Sequence, residues 1–263
     1  MNYKEFLICL RIKKNEKNLF IFIIMYKLTI ILPVINETSS LLKTIRLIEK
    51  NNYKKTIKNI LIVMSKKKTL FKSKKVCIKL SKTNKKIKYF YQKKPFLGGA
   101  MQEAFKKIKT SHCIMMSSDL ETNPNSLQKM IKISYKNKNS IITASRWEKK
   151  GAFKNYGTTK VILNYIFQKM FSILYNTNLN DLTFGYRLFP TKILKKIIWE
   201  MEDHSFLFET IIKPLKVRTN IIQISSDWVN REEGESNNNI FNYFKYCYIG
   251  LKVFFKKKDY FLN

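Results

Sequence analysis

What most constrains this chain is an alternation of two periodicities. Residues 28–32 form a short apolar run rich in β-branched side chains and closed by Pro33, the pattern of a buried strand. Ser39 or Ser40 then caps a segment that carries Leu41, Leu42, Ile45 and Ile48 on one helical face. The same alternation returns down the chain. Residues 60–64, 113–116 and 140–144 read as buried strands, and residues 87–91 as an alternating one. Between them, Gly98 and Gly99 make a tight connection into a helix with Ala100, Met101, Ala104, Phe105 and Ile108 inward. Asn123 and Pro124 start another, as N-cap and first helical residue, lined by Leu127, Met130, Ile131 and Tyr135. The Lys-rich stretch 66–86 is weakly patterned, with residues 76–80 expected as a further strand. Strands alternating with amphipathic helices imply an α/β fold with a mainly parallel sheet flanked by helices. Ligands bind such sheets at the carboxyl ends of the strands. That rule gathers three loops at one edge: residues 33–37, Gly98 with Gly99, and residues 117–121.

After Arg146 the pattern changes. Residues 161–175 are a long helical stretch rich in Ile, Leu, Phe and Tyr, residues 193–201 and 208–215 read as helices, and residues 221–224 as a strand. Residues 241–255 are aromatic-rich and run into Lys256, Lys257 and Lys258. The expected organisation is an N-terminal extension at 1–26, one domain at 27–253 with amphipathic helical elements toward its end, and a basic tail at 254–263. A chain of 263 residues, 45% of them hydrophobic, has enough apolar material for a large core, which excludes a disordered class. The apolar run at 19–26 falls short of the roughly 18 residues a membrane helix needs. It reads as a signal-peptide core behind Lys13, Lys14 and Lys17 without a small-residue cleavage site, or as an extension upstream of a start at Met25. A non-secreted, cytoplasmic protein is expected, with peripheral contact to the inner membrane face through the 161–175 helix and the basic, aromatic C-terminal region.

The formal net charge of +33 asks for an anionic partner, but Lys greatly outnumbers Arg, together with abundant Asn and Ile, as compositional drift would produce. Because Arg dominates bidentate phosphate recognition, the few arginines are more informative than the many lysines. The lysines are scattered and no nucleic-acid-binding motif accompanies them, so a basic nucleic-acid-binding protein is kept only as the alternative from another class. Cys9, Cys77, Cys113 and Cys247 lie far apart without a paired motif, which argues against a zinc site and a disulfide framework. His112 and His204 are too few for a histidine-rich metal site.

Asp119 and Glu121 lie two residues apart just past a buried strand, in a chain poor in acids. In extended chain such positions share a side, and two carboxylates there suit one hard divalent cation together with a diphosphate. Around them stand further motifs. Leu28 to Pro33 and the following Val34, Ile35, Asn36 and Glu37 resemble the opening strand and loop of the large inverting glycosyltransferase family with the GT-A fold. Leu97, Gly98, Gly99 and Ala100 are similar to its Gly-rich turn, residues 117–121 with Asn123 and Pro124 to its acidic metal loop, and Ser145 with Arg146 to its Ser-Arg. Residues 181–187 and 231–236 resemble stretches of the polyprenyl-phosphate branch, which includes dolichol-phosphate mannose synthases.

The resemblance spans residues 27–253 and implies a site. Pro33, Ile35, Glu37, Gly98, Ser117, Asp119 and Arg146 would bind the nucleotide sugar, and Asp119 and Glu121 would hold Mg²⁺ or Mn²⁺. Arg187, Arg231 and Ser236 would contact the acceptor or its phosphate, and Asp119, Asp181 and Arg187 would be catalytic. The chain departs from the pattern at Ser117, where the family has Asp, at Ile35, where it has Tyr, at Met64, Ser65 and Lys66, where an Asp reads the base, and at Gln223, Ile224 and Ser225. From the residues alone, Asp181 reads as a helix cap, as a buried partner of an arginine, or as a base toward a hydroxyl acceptor. Glu209 reads as an ion-pair partner or an acceptor-site group. The expected reaction moves a sugar from a nucleoside-diphosphate sugar, with inversion, to a polyprenyl phosphate or another membrane-associated acceptor. A saccharide hydroxyl in cell-surface polysaccharide synthesis is the alternative.

Overall fold

The apolar run at the start of the domain becomes a strand because its neighbours on both sides are equally apolar. The computed structural model describes residues 26–148, 157–226 and 242–263. Strand β1 (Leu28–Val34) lies parallel to β2 (Ile57–Ser65) on one side and to β4 (His112–Met115) on the other, and β3 (Ile87–Gln92) lies parallel to β2. Beyond β4 the sheet continues through β6 (Arg187–Pro190), antiparallel, then β5 (Ile141–Ser145) and β7 (Ile221–Ser225), giving the order β3-β2-β1-β4-β6-β5-β7.

Both faces of the sheet are covered, so strands near its centre read as continuous apolar runs rather than as alternation. On one face Leu28, Ile30, Leu32, Ile60 and Ile62 meet α1 (Ser39–Lys50) through Leu41, Ile45 and Ile48, and α4 (Ser126–Lys136) through Leu127, Met130 and Ile131. On the other, Ile31, Leu61, Val63, Cys113 and Met115 meet α3 (Phe96–Lys107) through Met101, Ala104 and Phe105. The remaining helices are α2 (Phe71–Thr83), α5 (Thr158–Leu174), α6 (Thr191–Lys196), α7 (Phe206–Lys216) and α8 (Asn242–Phe255). Helices α5, α7 and α8 build a separate aromatic cluster around Phe167, Phe171, Phe208, Ile249 and Phe261. Gly250 sets how closely α8 approaches α5, since a Cβ there would lie 2.2 Å from Cε1 of Phe171.

Several expectations are corrected. Residues 76–80 are helical, inside α2, because Ser73, Val76, Cys77 and Leu80 follow a helical spacing and present one face to the sheet. Helix α4 begins at Ser126 rather than at Pro124; Asn123 instead accepts the Asn125 amide at 2.9 Å in a turn. The helix expected at 193–201 is Thr191–Lys196 and stops before Trp199. Residues 258–263 are docked: a short 3-10 helix, Lys258–Phe261, buries Phe261 completely, and Leu262 bridges to Ile197. At the other end Tyr26 is fully buried and stacks on His112, so the core begins before residue 27. Among the described residues no helix is long and apolar enough to cross a membrane.

Candidate active site

Four strand ends meet at one edge of the sheet. Strand β6 runs antiparallel to β4, so its first residue, Arg187, pairs with Met115, the last of β4. The loops after β1, β4 and β5 and the loop before β6 therefore share this edge. The chain leaves β4 with Met116 still bonded to Ile31 and then turns sharply. The Ser117 amide donates to the Thr122 hydroxyl at 3.0 Å, the two hydroxyls lie 3.0 Å apart, and the Thr122 amide returns a bond to Ser117 at 3.2 Å. Inside this closed loop the Asp119 carboxylate accepts the Glu121 amide at 3.0 Å, and Leu120 sits at φ 70°, a left-handed conformation that leucine rarely adopts. Residues 119 and 121 are thus held by a turn and not by extended chain. Strain of this kind persists only where the surroundings over-determine it, and it concentrates at ligand-binding loops. Asp119 is 5% exposed.

Ser118 fastens the acidic turn to β1 by donating to the Pro33 carbonyl at 2.6 Å. One residue-pair further, Glu37 folds back on its own loop and accepts the amides of Ile35 (2.7 Å) and Asn36 (3.0 Å). Burial pushes the Glu37 carboxyl above its ordinary range, the Ile35 and Asn36 amides oppose that, and the charge of Asp119 adds to it. The two acids therefore concentrate negative potential between the ends of β1 and β4. The end of β2 is tied in by Thr69, which donates to the Val34 carbonyl at 2.9 Å and accepts the Ser65 amide at 2.8 Å. Lys66, Lys67 and Lys68 are exposed there, with Lys68 4.9 Å from the centre of the Phe96 ring.

Gly98 and Gly99 lie inside the first turn of α3 and not before it. A Cβ on Gly98 would come within 2.3 Å of the Met201 carbonyl oxygen, and the Gly99 amide donates to the Glu202 carbonyl at 2.9 Å. The two glycines thus let residues 201–202 press onto the start of α3. Gly98 is buried by this contact, which places it behind the edge as a packing residue.

The opposite flank is built from paired charges. Arg146 grips Asp181 with two parallel bonds of 2.8 and 2.9 Å, and its backbone amide adds a third at 3.0 Å. Asp181 is fully buried and also accepts the Phe184 amide at 3.1 Å. Of the three roles open to Asp181, the geometry is that of the buried partner. Its lone pairs are occupied, and no oxygen is left to take a proton from an acceptor. Arg187 is 0% exposed. Its guanidinium donates to Thr143 (3.1 Å), the Leu182 carbonyl (2.8 Å), the Leu207 carbonyl and Thr210. Burial pushes this group down to about 9, with Asp181 opposing, so it stays charged at neutral pH. A guanidinium so enclosed has no face toward a phosphate, which corrects the contact expected of it. Glu209 is likewise an ion-pair partner: Lys213 lies 2.6 Å away, both side chains are fully buried, and the Glu200 and Met201 amides complete the carboxylate at 2.8 and 3.0 Å.

The structure therefore brings Pro33, Ile35, Glu37, Ser117, Asp119 and Glu121 together at one edge, and puts Arg146, Asp181 and Arg187 into the scaffold beside it. Arg231 and Ser236 lie outside the described residues. Sequence reasoning passed over Ser118 and Thr122, the hydroxyls that shape the acidic turn, and Thr143 and Thr210, which hold Arg187. Their only signal was a clustering of Ser and Thr around a charge.

A mainly parallel sheet with an acidic turn after its fourth strand, beside a loop carrying a half-buried glutamate, places its candidate site at the carboxyl ends of the strands, where α/β folds bind their ligands. The model of glycosyl transferase family 2 matches residues 29–198, well over half of the chain, and the chain belongs to that family of glycosyltransferases. Among solved structures, it is similar to glucosyl-3-phosphoglycerate synthase from Mycobacterium tuberculosis in complex with Mn²⁺, UDP and glucosyl-3-phosphoglycerate, at a TM-score of 0.63 and 10% identity over 87% of this chain and 78% of that one. The same enzyme with Mg²⁺ and UDP gives a TM-score of 0.61 at 9% identity, again over 87% and 78% of the two chains. At such identities the likeness concerns the fold alone.

Proposed function

We propose that this glycosyltransferase moves a sugar from a nucleoside-diphosphate sugar, with inversion, onto an oxygen of a phosphate-bearing acceptor. The observation that carries the reading is the Asp119 turn: a nearly buried carboxylate in a strained loop, at the carboxyl end of a central strand of a family 2 fold. The diphosphate lies over residues 117–121 and the nucleoside against residues 33–37 and the end of β2. UDP is the first nucleotide to try, because the structural neighbours were solved with it. The donor set fits Mg²⁺ or Mn²⁺: Asp119 and Glu121 offer hard oxygens, and the diphosphate supplies the rest. Such an ion neutralises charge on a departing diphosphate.

In the reaction an acceptor oxygen attacks the anomeric carbon from the side opposite the diphosphate. The bond from that carbon to the diphosphate oxygen breaks, and the nucleoside diphosphate leaves with the electron pair. A phosphate oxygen is already anionic and needs no base, whereas a hydroxyl must lose a proton. Asp181 and Glu209 are both consumed by ion pairs, which supports the phosphate oxygen. Polyprenyl phosphate is the finer reading, supported by the likeness of residues 181–187 and 231–236 to that branch; Arg231 and Ser236 then bind acceptor phosphate while Arg146 and Arg187 hold the loop that shapes its site. The neighbours favour a second reading, a small phosphorylated acid, since one was solved with phosphoglyceric acid.

A thermal-shift panel of nucleoside diphosphates with Mn²⁺, on wild type and Asp119→Asn, tests the donor site. Stabilisation of wild type alone is expected; no response, or an equal response from Asp119→Asn, sinks the reading. Transfer assays offering polyprenyl phosphate and phosphoglycerate side by side then decide the acceptor.

A further inference from the structure

Helices α5 and α8 together present a face that nothing in the described chain covers. They run parallel and in register. Phe167 meets Tyr246 at 6.0 Å between ring centres, Phe171 packs on Gly250, and Tyr175 meets Phe254 at 6.0 Å, so each step of four residues on one helix matches a step of four on the other. In two parallel right-handed helices facing each other, positions just before the seam on one share a side with positions just after the seam on the other. On α8 the positions after the seam are Phe244, Tyr248, Leu251 and Phe255, spaced at four, three and four residues, with Phe244 74% and Phe255 78% exposed. On α5 the positions before the seam include Ile166, Met170 and Ile173, the last 79% exposed. Two apolar stripes from helices distant in sequence thus lie on the same side of the pair, and exposed apolar residues grouped in this way mark an interaction surface.

Lysines outnumber acids around that surface, where Asp259 is exposed beside Lys258 and Asp203 and Glu200 pair with Lys245 and Lys252 of α8. Neither Thr158–Leu174 nor Asn242–Phe255 contains an Asp or a Glu. Lys160 and Lys169 are exposed on α5, and Lys256, Lys257 and Lys258 are exposed beyond the end of α8. A second copy would bring one predominantly basic rim against another, which like-charge repulsion opposes. An anionic bilayer complements both features: apolar side chains enter the acyl boundary while lysines meet lipid phosphates. We propose that the combined α5–α8 face is a docking surface for anionic lipid membranes. Helix α5 leads directly into residues 180–187, so docking there brings the loop beside the active edge toward the bilayer. The surface stands independently of which acceptor the enzyme uses.

Co-sedimentation of the full chain with vesicles tests this, using an equal mixture of phosphatidylglycerol and phosphatidylcholine against phosphatidylcholine alone. Wild type should partition onto the anionic vesicles. Ile166→Ser/Ile173→Ser on one helix and Phe244→Ser/Phe255→Ser on the other should each weaken partitioning about tenfold or more, because each pair removes two large apolar side chains from the acyl boundary. Lys256→Glu/Lys257→Glu should weaken it several-fold through the electrostatic part alone, and it keeps the test valid should an apolar pair unfold. The nucleotide thermal shift should be the same in all of them, which separates this surface from the donor site. Three outcomes overturn the proposal: no partitioning onto anionic vesicles, apolar variants that partition like wild type, or a concentration-dependent dimer that the same serine substitutions abolish.

Discussion

The acidic turn at residues 117–122 and the buried charges beside it occupy the same edge of the sheet, and they treat charge in opposite ways. In the scaffold every ionic group is enclosed by partners: Arg146 with Asp181, Arg187 with two carbonyls and two threonines, Lys213 with Glu209 and Glu200. In the turn, the Asp119 carboxylate accepts the Glu121 amide within a loop that stores left-handed strain, and Glu37 is close enough to feel its charge. Both regions resembled family motifs in the sequence. The difference teaches that what surrounds a charged motif residue, and not the motif itself, decides whether it is walled into the scaffold or stands in the loops at the strand ends.

The sharpest way to break this contrast is to remove one member of a buried pair. Lys213→Met leaves Glu209 fully buried without its cation, and such losses typically cost about 3–5 kcal/mol. Chemical denaturation should show that loss, and the double substitution Glu209→Gln/Lys213→Met should recover much of it. The specific activity of the folded fraction should hold. If activity falls while stability does not, Glu209 belongs to the acceptor site after all.

Asp119→Asn should behave inversely. Losing the charge while keeping the shape should lower kcat/KM by about 10²–10³, the scale for removing one preorganised electrostatic group, with little change in unfolding temperature. A variant that loses stability but keeps turnover would move Asp119 into the scaffold.

How much of this was legible in the sequence follows the same division. Strands β1, β2, β4 and β5 and helices α1 and α3 were readable because periodicity is a local signal, and so was the clustering of the loops after β1 and β4. Strand β6 was not: four residues, opening on an arginine and closing on a proline, carry too little pattern, and their strand geometry comes from β4 and β5 on either side. The pairing of Arg146 with Asp181 spans 35 residues, and no local rule predicts it. Residues 254–263 read as a basic tail because Lys256, Lys257 and Lys258 stand together, yet the burial of Phe261 and the bridge from Leu262 to Ile197 dock its end.

His112 opens the strand that Met115 closes before the acidic turn, so the two ends of β4 offer a pH test of the contrast. Burial pushes the imidazole down to about 4 from an ordinary value of 6.5, although the Lys138 carbonyl opposes this at 3.2 Å. The ring is therefore neutral in the folded protein where the unfolded chain would bind a proton. Stability should be unaffected above about pH 6.5 and should decline as pH falls toward about 4, by at most about 3 kcal/mol. His112→Gln should flatten that slope in urea titrations between those limits without altering kcat at neutral pH. An unchanged slope would show that other groups carry the acid sensitivity.

The smallest effect tests the turn's own architecture. Thr122→Val keeps the side-chain shape but removes the hydroxyl that accepts the Ser117 amide and pairs with the Ser117 hydroxyl. One such network contributes about 1 kcal/mol to stability. If the turn exists to hold Asp119 in place, the kinetic consequence should exceed the thermodynamic one: the unfolding temperature should drop by a few degrees, while the metal concentration needed for half-maximal activity should rise several-fold. Equal, small changes in both would mean that the Asp119 backbone is fixed by the Ser118 bond to Pro33 instead, and Ser118→Ala should then give the larger shift.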